Sequence, residues 1–130
     1  KCWHGIKDRA YEISLRLLGI YIAHDVLFFR LGIHNASAIN YDIDRIRFFI
    51  RDKKKARRTA SQEIEMTPFY KVGNDSKINR SAREEYVFAL SKFTIPASKY
   101  LLIEMTEQNG SRQLILKVKN NRLIQADTLE

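Results

Sequence analysis

Cysteine is almost missing from this chain. One, Cys2, stands among 130 residues, so no disulfide can close within it and no cysteine-based metal site is available. The three histidines, His4, His24 and His34, lack the spacing that puts two metal ligands on one helix face. No metal and no cofactor are expected. No apolar run approaches the roughly 18 residues that a membrane helix needs, so no membrane span is expected in this fragment. Catalytic signatures are missing too: there is no G-x-S-x-G, no H-E-x-x-H, no glycine-rich phosphate loop and no C-x-x-C. The acidic pairs Asp42/Asp44 and Glu84-Glu85 read as strand-flanking residues, and His34 as a polar residue on an outer face. An enzyme is not expected.

What the chain does have is uneven positive charge. Lys and Arg number 23 against 15 Asp and Glu, a formal net charge of +8. Six of the eight residues from Arg51 to Arg58 are basic, and one, Asp52, is acidic, so this window carries +5 of the +8. Arg51, Lys53, Lys54, Lys55, Arg57 and Arg58 form the candidate interaction patch. Charge this concentrated suits an anionic partner such as a phosphate backbone, a lipid headgroup or an acidic protein face. A solvated hairpin tip with no partner has the same composition. Phe49 shares its strand face with Arg45, Arg47 and Arg51, which resembles the basic-aromatic surface of single-strand binders.

Apolar residues recur with a period of two, the mark of half-buried strands. Leu27, Phe29, Leu31 and Ile33 share one face, as do Ile46, Phe48 and Ile50, then Tyr86, Phe88 and Leu90, then Leu101, Ile103 and Met105, then Leu114, Leu116 and Val118. The parity shifts near Gly19, which suggests a bulge or a change of sheet. Turns stand at His24-Asp25, "NASAIN", "VGNDSK", "IPASK" and Asn109-Gly110. The expectation is about seven strands, near 13–23, 26–34, 41–51, 58–70, 85–93, 100–107 and 112–119, with a short helix over "GIKDRAYEI". That pattern fits an all-β, immunoglobulin-like antiparallel sandwich in one domain, residues 1–130, without the Cys…Trp…Cys framework of antibody domains. Four Asn-x-Ser sequons, at Asn35, Asn74, Asn79 and Asn109, fall in turns and read as turn chemistry. The opening "KCWHG" has no methionine and no signal-like apolar core, and reads as the start of a fragment.

Three long stretches, "GIKDRAYEISLRLLGIYI", "YDIDRIRFFIRDKKKARRTASQEIEM" and "FALSKFTIPASKYLLIEMTEQNGSRQL", together resemble the TraN family of Bacteroides-type conjugative transposons. The resemblance is collinear and runs from Gly5 to about Leu123. It implies an exported component of a mating apparatus, a type IV secretion-like machine that moves DNA between cells. It also implies a longer N-terminal region, a C-terminal β-sandwich, and a place in the periplasm associated with the outer membrane. The partners implied are other subunits of the apparatus, including further copies of itself. No catalytic residue is carried over. Two other readings stand beside it: weak non-specific nucleic-acid contact on the transfer path, and a surface adhesion or glycan-binding module, for which Phe69 and Tyr70 are the nearest loop aromatics. The tail Asp127-Thr128-Leu129 reads as a frayed polar end, and also resembles the Asp-Thr/Ser-aliphatic O-glycan site of exported proteins in such bacteria.

Overall fold

Strands form where alternating apolar side chains can reach a common interior, and the aromatic residues show where that interior lies. In the computed structural model, which describes residues 5–53, 63–73 and 76–128, Phe48 stands at the centre. Its ring lies 5.3 Å from Phe29 and 5.3 Å from Phe88, in tilted and edge-on geometries that suit the ring quadrupoles. Leu27, Leu31, Leu90, Ile103 and Leu116 complete the same core, each no more than 3% exposed.

In chain order the strands are β1 (Lys7–Ala10), β2 (Ile13–Ala23), β3 (Val26–Asn35), β4 (Tyr41–Asp52), β5 (Glu63–Met66), β6 (Tyr70–Val72), β7 (Lys77–Ile78), β8 (Arg83–Ser91), β9 (Lys99–Glu107), β10 (Leu114–Lys119) and β11 (Asp127–Thr128), with one helical turn, α1 (Asn120–Leu123), before the last. One sheet runs β1-β2-β3-β8-β6 and the other β10-β9-β4-β5. The ordering β2-β3-β8-β6 against β5-β4-β9-β10 reproduces the ABED and C′CFG sheets of an immunoglobulin-like sandwich. The short β7 pairs with β4, and β11 runs parallel to β2.

Two-residue turns drive the first hairpins. Tyr11 and Glu12, then His24 and Asp25, all take positive φ, between 50° and 63°. That is the type I′ geometry whose twist matches antiparallel strands. The parity shift near Gly19 is a bulge: the β2–β3 register slips between Leu17 and Gly19. Gly73 (φ 130°) ends β6 at a point where a Cβ would lie 2.7 Å from the Glu85 carbonyl oxygen, so only glycine lets the chain pass there unshifted.

Three local expectations are corrected. The stretch "GIKDRAYEI" is not helical; Lys7–Ala10 is a strand paired with β2. The Asp8 carboxylate also accepts the Ile115 N–H at 2.8 Å, so tertiary hydrogen bonds override a local helical preference. Of the strand expected over 58–70, residues 58–62 lie outside the described residues, and the rest divides between β5 and the start of β6, in different sheets; Pro68 lies between them and cannot donate to a ladder. Asp127 and Thr128 are not frayed but pair with Tyr21 and Ile22.

Candidate interaction surfaces

The basic burst leaves the end of β4. Arg51 Nε donates to Glu63 Oε2 on the neighbouring β5. Lys99 Nζ donates to Asp52 Oδ1 at 2.6 Å, and the Lys53 N–H to the Ser98 carbonyl at 2.9 Å. The root of the burst is therefore fastened to β5 and to the loop before β9, with Lys53 exposed. Lys54, Lys55, Arg57 and Arg58 lie outside the described residues.

Phe49 does not offer a stacking platform. It is 5% exposed, with the Arg47 guanidinium 5.0 Å from its ring centroid and that of Arg51 at 5.9 Å. Arg47 is itself paired with Glu104 at 2.9 Å, and Gln113 Nε2 donates to the other oxygen of that carboxylate at 2.6 Å. A base would have to displace cations already seated on the ring.

The opposite end of the sandwich is a closed polar network. Asn35 is fully buried; its amide donates to the carbonyls of Ile39 and Ile78 at 2.9 and 3.0 Å and accepts the Ser37 N–H at 3.0 Å. One amide hydrogen thus holds the loop after β3, as its turn reading requires, and the other ties that corner to β7. Arg112 grips Glu107 in a fork, Nε to Oε1 at 3.0 Å and Nη2 to Oε2 at 2.6 Å, and Nη2 also reaches the Asn40 carbonyl at 2.8 Å. The hydrogen bond from Arg112 holds the Glu107 carboxyl below the usual range, against a smaller opposing effect of burial. The buried Tyr41 hydroxyl donates to the Arg112 carbonyl at 2.6 Å, and burial pushes its pKa well above that of a free phenol. These groups hold three loops together. Among the described residues, no three His, Cys, Asp or Glu side chains gather to hold a metal.

Among the described residues, four of the seven exposed large apolar side chains belong to one margin, while Tyr11, Ile39 and Ile124 lie elsewhere. Ile64 is 52% exposed, Phe69 61%, Tyr70 63% and Val72 53%. These residues belong to β5, to β6 and to the link between them, the outermost strands of the two sheets on that side. Beside them lies an open concavity of about 430 Å³, walled by Pro68, Phe69, Tyr70 and Lys71 and floored by Ile46 and Phe88. Phe69 and Tyr70 stand out in the sequence as loop aromatics, but Ile64 and Val72 read there as ordinary strand residues. Their exposure follows only from the split of the chain between two sheet margins.

Residues 1–128 match a family model described as "Domain of unknown function (DUF4138)". The chain belongs to the DUF4138 family. A comparison with curated proteins finds no match. Among the described residues of this DUF4138 domain, the apolar margin and Lys53 at the root of the basic burst stand exposed. The polar loop end is occupied with its own bonding.

Proposed function

We propose that the domain is a non-enzymatic structural and interaction module of a conjugative-transposon mating apparatus, a type IV secretion-like channel for DNA. It works in the periplasm in association with the outer membrane. The observation that carries this reading is the apolar margin of Ile64, Phe69, Tyr70 and Val72 on an immunoglobulin-like sandwich. Large apolar side chains gathered at a sheet margin mark a protein contact. The collinear resemblance of Gly5 to about Leu123 to the TraN family supplies the machine. Neighbouring subunits dock on the margin, which provides the buried centre of the contact, while the basic burst steers the approach.

Changing Phe69 and Tyr70 together to Glu tests the reading in donor cells. Both are exposed, so the thermal midpoint of the purified domain stays close to the parent's. Recovery of the assembled apparatus and the frequency of DNA transfer are both expected to fall about tenfold or more, as for loss of a central aromatic anchor. Normal assembly and transfer would refute the proposal.

The triple change of Lys53, Lys54 and Lys55 to Glu is expected to leave folding intact and to impair transfer by weakening assembly. The parent is expected to bind DNA weakly and without sequence preference, losing it well below physiological salt. Each neutralised phosphate steepens the loss by about 0.7 log units for single strands. Tight DNA binding by the parent at physiological salt, with normal assembly but failed transfer in the triple variant, would instead indicate a DNA-contacting role.

A further inference from the structure

The β1-β2-β3-β8 sheet carries a second basic surface, spread over four strands. Arg9 lies opposite Ser14, Ser14 opposite His34, and His34 opposite Arg83. Two residues along each strand, Lys7, Arg16, Gly32 and Glu85 form a parallel row. Side chains two apart on a strand point to the same face, so these eight positions make a two-row grid on the outside of the sheet. Small residues, Ser14 and Gly32, occupy its middle, and cations occupy most of its rim.

The result is a depression. An open concavity of about 450 Å³ lies against Lys7, Arg9, Ser14, Arg16, His34 and Arg83. A smaller one of about 80 Å³ adjoins it over Gly32, sharing Arg16, His34 and Arg83 and walled by Leu18. The larger volume falls in the range of small-ligand sites, roughly 300–1,000 Å³.

Carboxylates lie nearby as well, Asp8 against the larger concavity and Glu84 and Glu85 against the smaller. Asp8 accepts the Ile115 N–H of β10. Glu85 pairs with Arg30 at 2.8 Å. Glu12 sits 3.4 Å from Arg9, with both side chains about two-thirds exposed, so that pair is screened by water. Among the described residues no carboxylate pairs with Lys7, Arg16 or Arg83. Like charges gathered across neighbouring strands destabilise a sheet, and a bound anion would relieve that repulsion.

We infer that this face is a binding site for a small ligand bearing a phosphate or sulfate group, held by Arg16 and Arg83 with Lys7 and Arg9 closing over it. Guanidinium forks match tetrahedral oxyanions in a bidentate way. Ser14 supplies a hydroxyl donor on the floor, and Leu18, which covers Gly32, offers the ligand's body an apolar surface.

The test is a titration of the whole domain with pyrophosphate and with sulfate, followed by amide chemical shifts, with sodium chloride at equal ionic strength as the control. Saturable shifts at Ser14, Gly32, His34 and Arg83 are expected. In the double variant Arg16→Ala/Arg83→Ala the affinity falls about tenfold or more, as for loss of charge-assisted contacts. The variant with Lys53, Lys54 and Lys55 changed to Glu keeps parental affinity, because Lys53 follows β4 of the other sheet and none of the three belongs to the grid. The two arms separate the sources: preference for pyrophosphate assigns a phosphorylated ligand, and preference for sulfate a sulfated one. Shifts that fail to saturate, that chloride reproduces, or that survive loss of both arginines would overturn the site. Its failure would leave the docking margin untouched, since the two surfaces share none of these residues.

Discussion

Replacing Phe88 with alanine lowers the unfolding free energy by about 3–5 kcal/mol, the usual range for a fully buried phenylalanine. Phe88 is 3% exposed, and its ring is 5.3 Å from Phe48 and 6.4 Å from Tyr86. Removing it deletes two aromatic contacts and leaves a void that Phe48 and Tyr86 cannot fill by small shifts, because each is pinned by other neighbours. The void also opens toward the concavity at Ile46 and Pro68, so water can enter and part of the cavity cost is relieved. The loss should therefore fall nearer the lower end of the range. Urea denaturation with an unchanged m-value would show that the folded state lost stability without a change in compactness. A variant within about 1 kcal/mol of the parent, an ordinary surface-like effect, would contradict the central place given to this ring.

Arg112→Ala is expected to cost about 2–3 kcal/mol, less than a fully buried pair because both side chains keep some contact with water. The substitution takes both guanidinium bonds from the Glu107 carboxylate, 14% exposed, leaving it the backbone N–H of position 112 at 3.2 Å, and removes the donor to the Asn40 carbonyl. It also bares the ring of Tyr41, over which the guanidinium sits at 5.1 Å. The pH dependence sharpens the test. Glu107 has a lowered pKa in the folded parent. Its contribution is complete above the unfolded carboxyl value of about 4.3 and is lost as pH falls through the lower folded value. In the variant the carboxylate keeps only the backbone N–H of position 112, so protonation removes much less than in the parent. Stability curves of parent and variant should stand furthest apart near neutral pH and converge in acid. Parallel curves across that window would show that the pair does not hold the loop. Arg112→Lys keeps the charge but not the fork, and should recover only part of the difference.

Much of the interior was legible because period-two patterning depends on neighbours along the chain. Phe29 and Leu31 on one strand, and Ile103 and Leu116 on two others, lie where alternation places them, each no more than 1% exposed. The parity shift marked an irregularity at Gly19 but fitted a change of sheet as well as a bulge, and the β2–β3 register decides for the bulge. What escaped reading depends on distant partners. Lys7–Ala10 becomes a strand because β2 lies alongside and because Asp8 meets Ile115 across the sandwich. Residues 63–72 divide because β5 and β6 find different sheets, a choice that alternation cannot register. The surfaces follow the same rule. The burst at 51–58 is visible as composition, but the grid of Arg9, Arg16, His34 and Arg83 comes from four strands and has no mark in any single stretch. The clasp of Glu107 and Arg112 did leave a trace, since the two residues flank Asn109-Gly110, where a turn brings them face to face.

The seam at Asp8 and Ile115 has a consequence for how such domains join. On that side β1 and β11 share the outer border of β2, and Asp8 occupies an outward N–H of β10. Among the described residues the apolar margin lies on the other side, at β5 and β6. A block adhesive on one flank has a valence of one. Two such blocks meeting flank to flank close upon each other and stop, whereas a block adhesive on both flanks would add units without end. On the proposed docking reading, a ring or sheath built from this domain would have to take its further contacts from surfaces other than the β5–β6 margin.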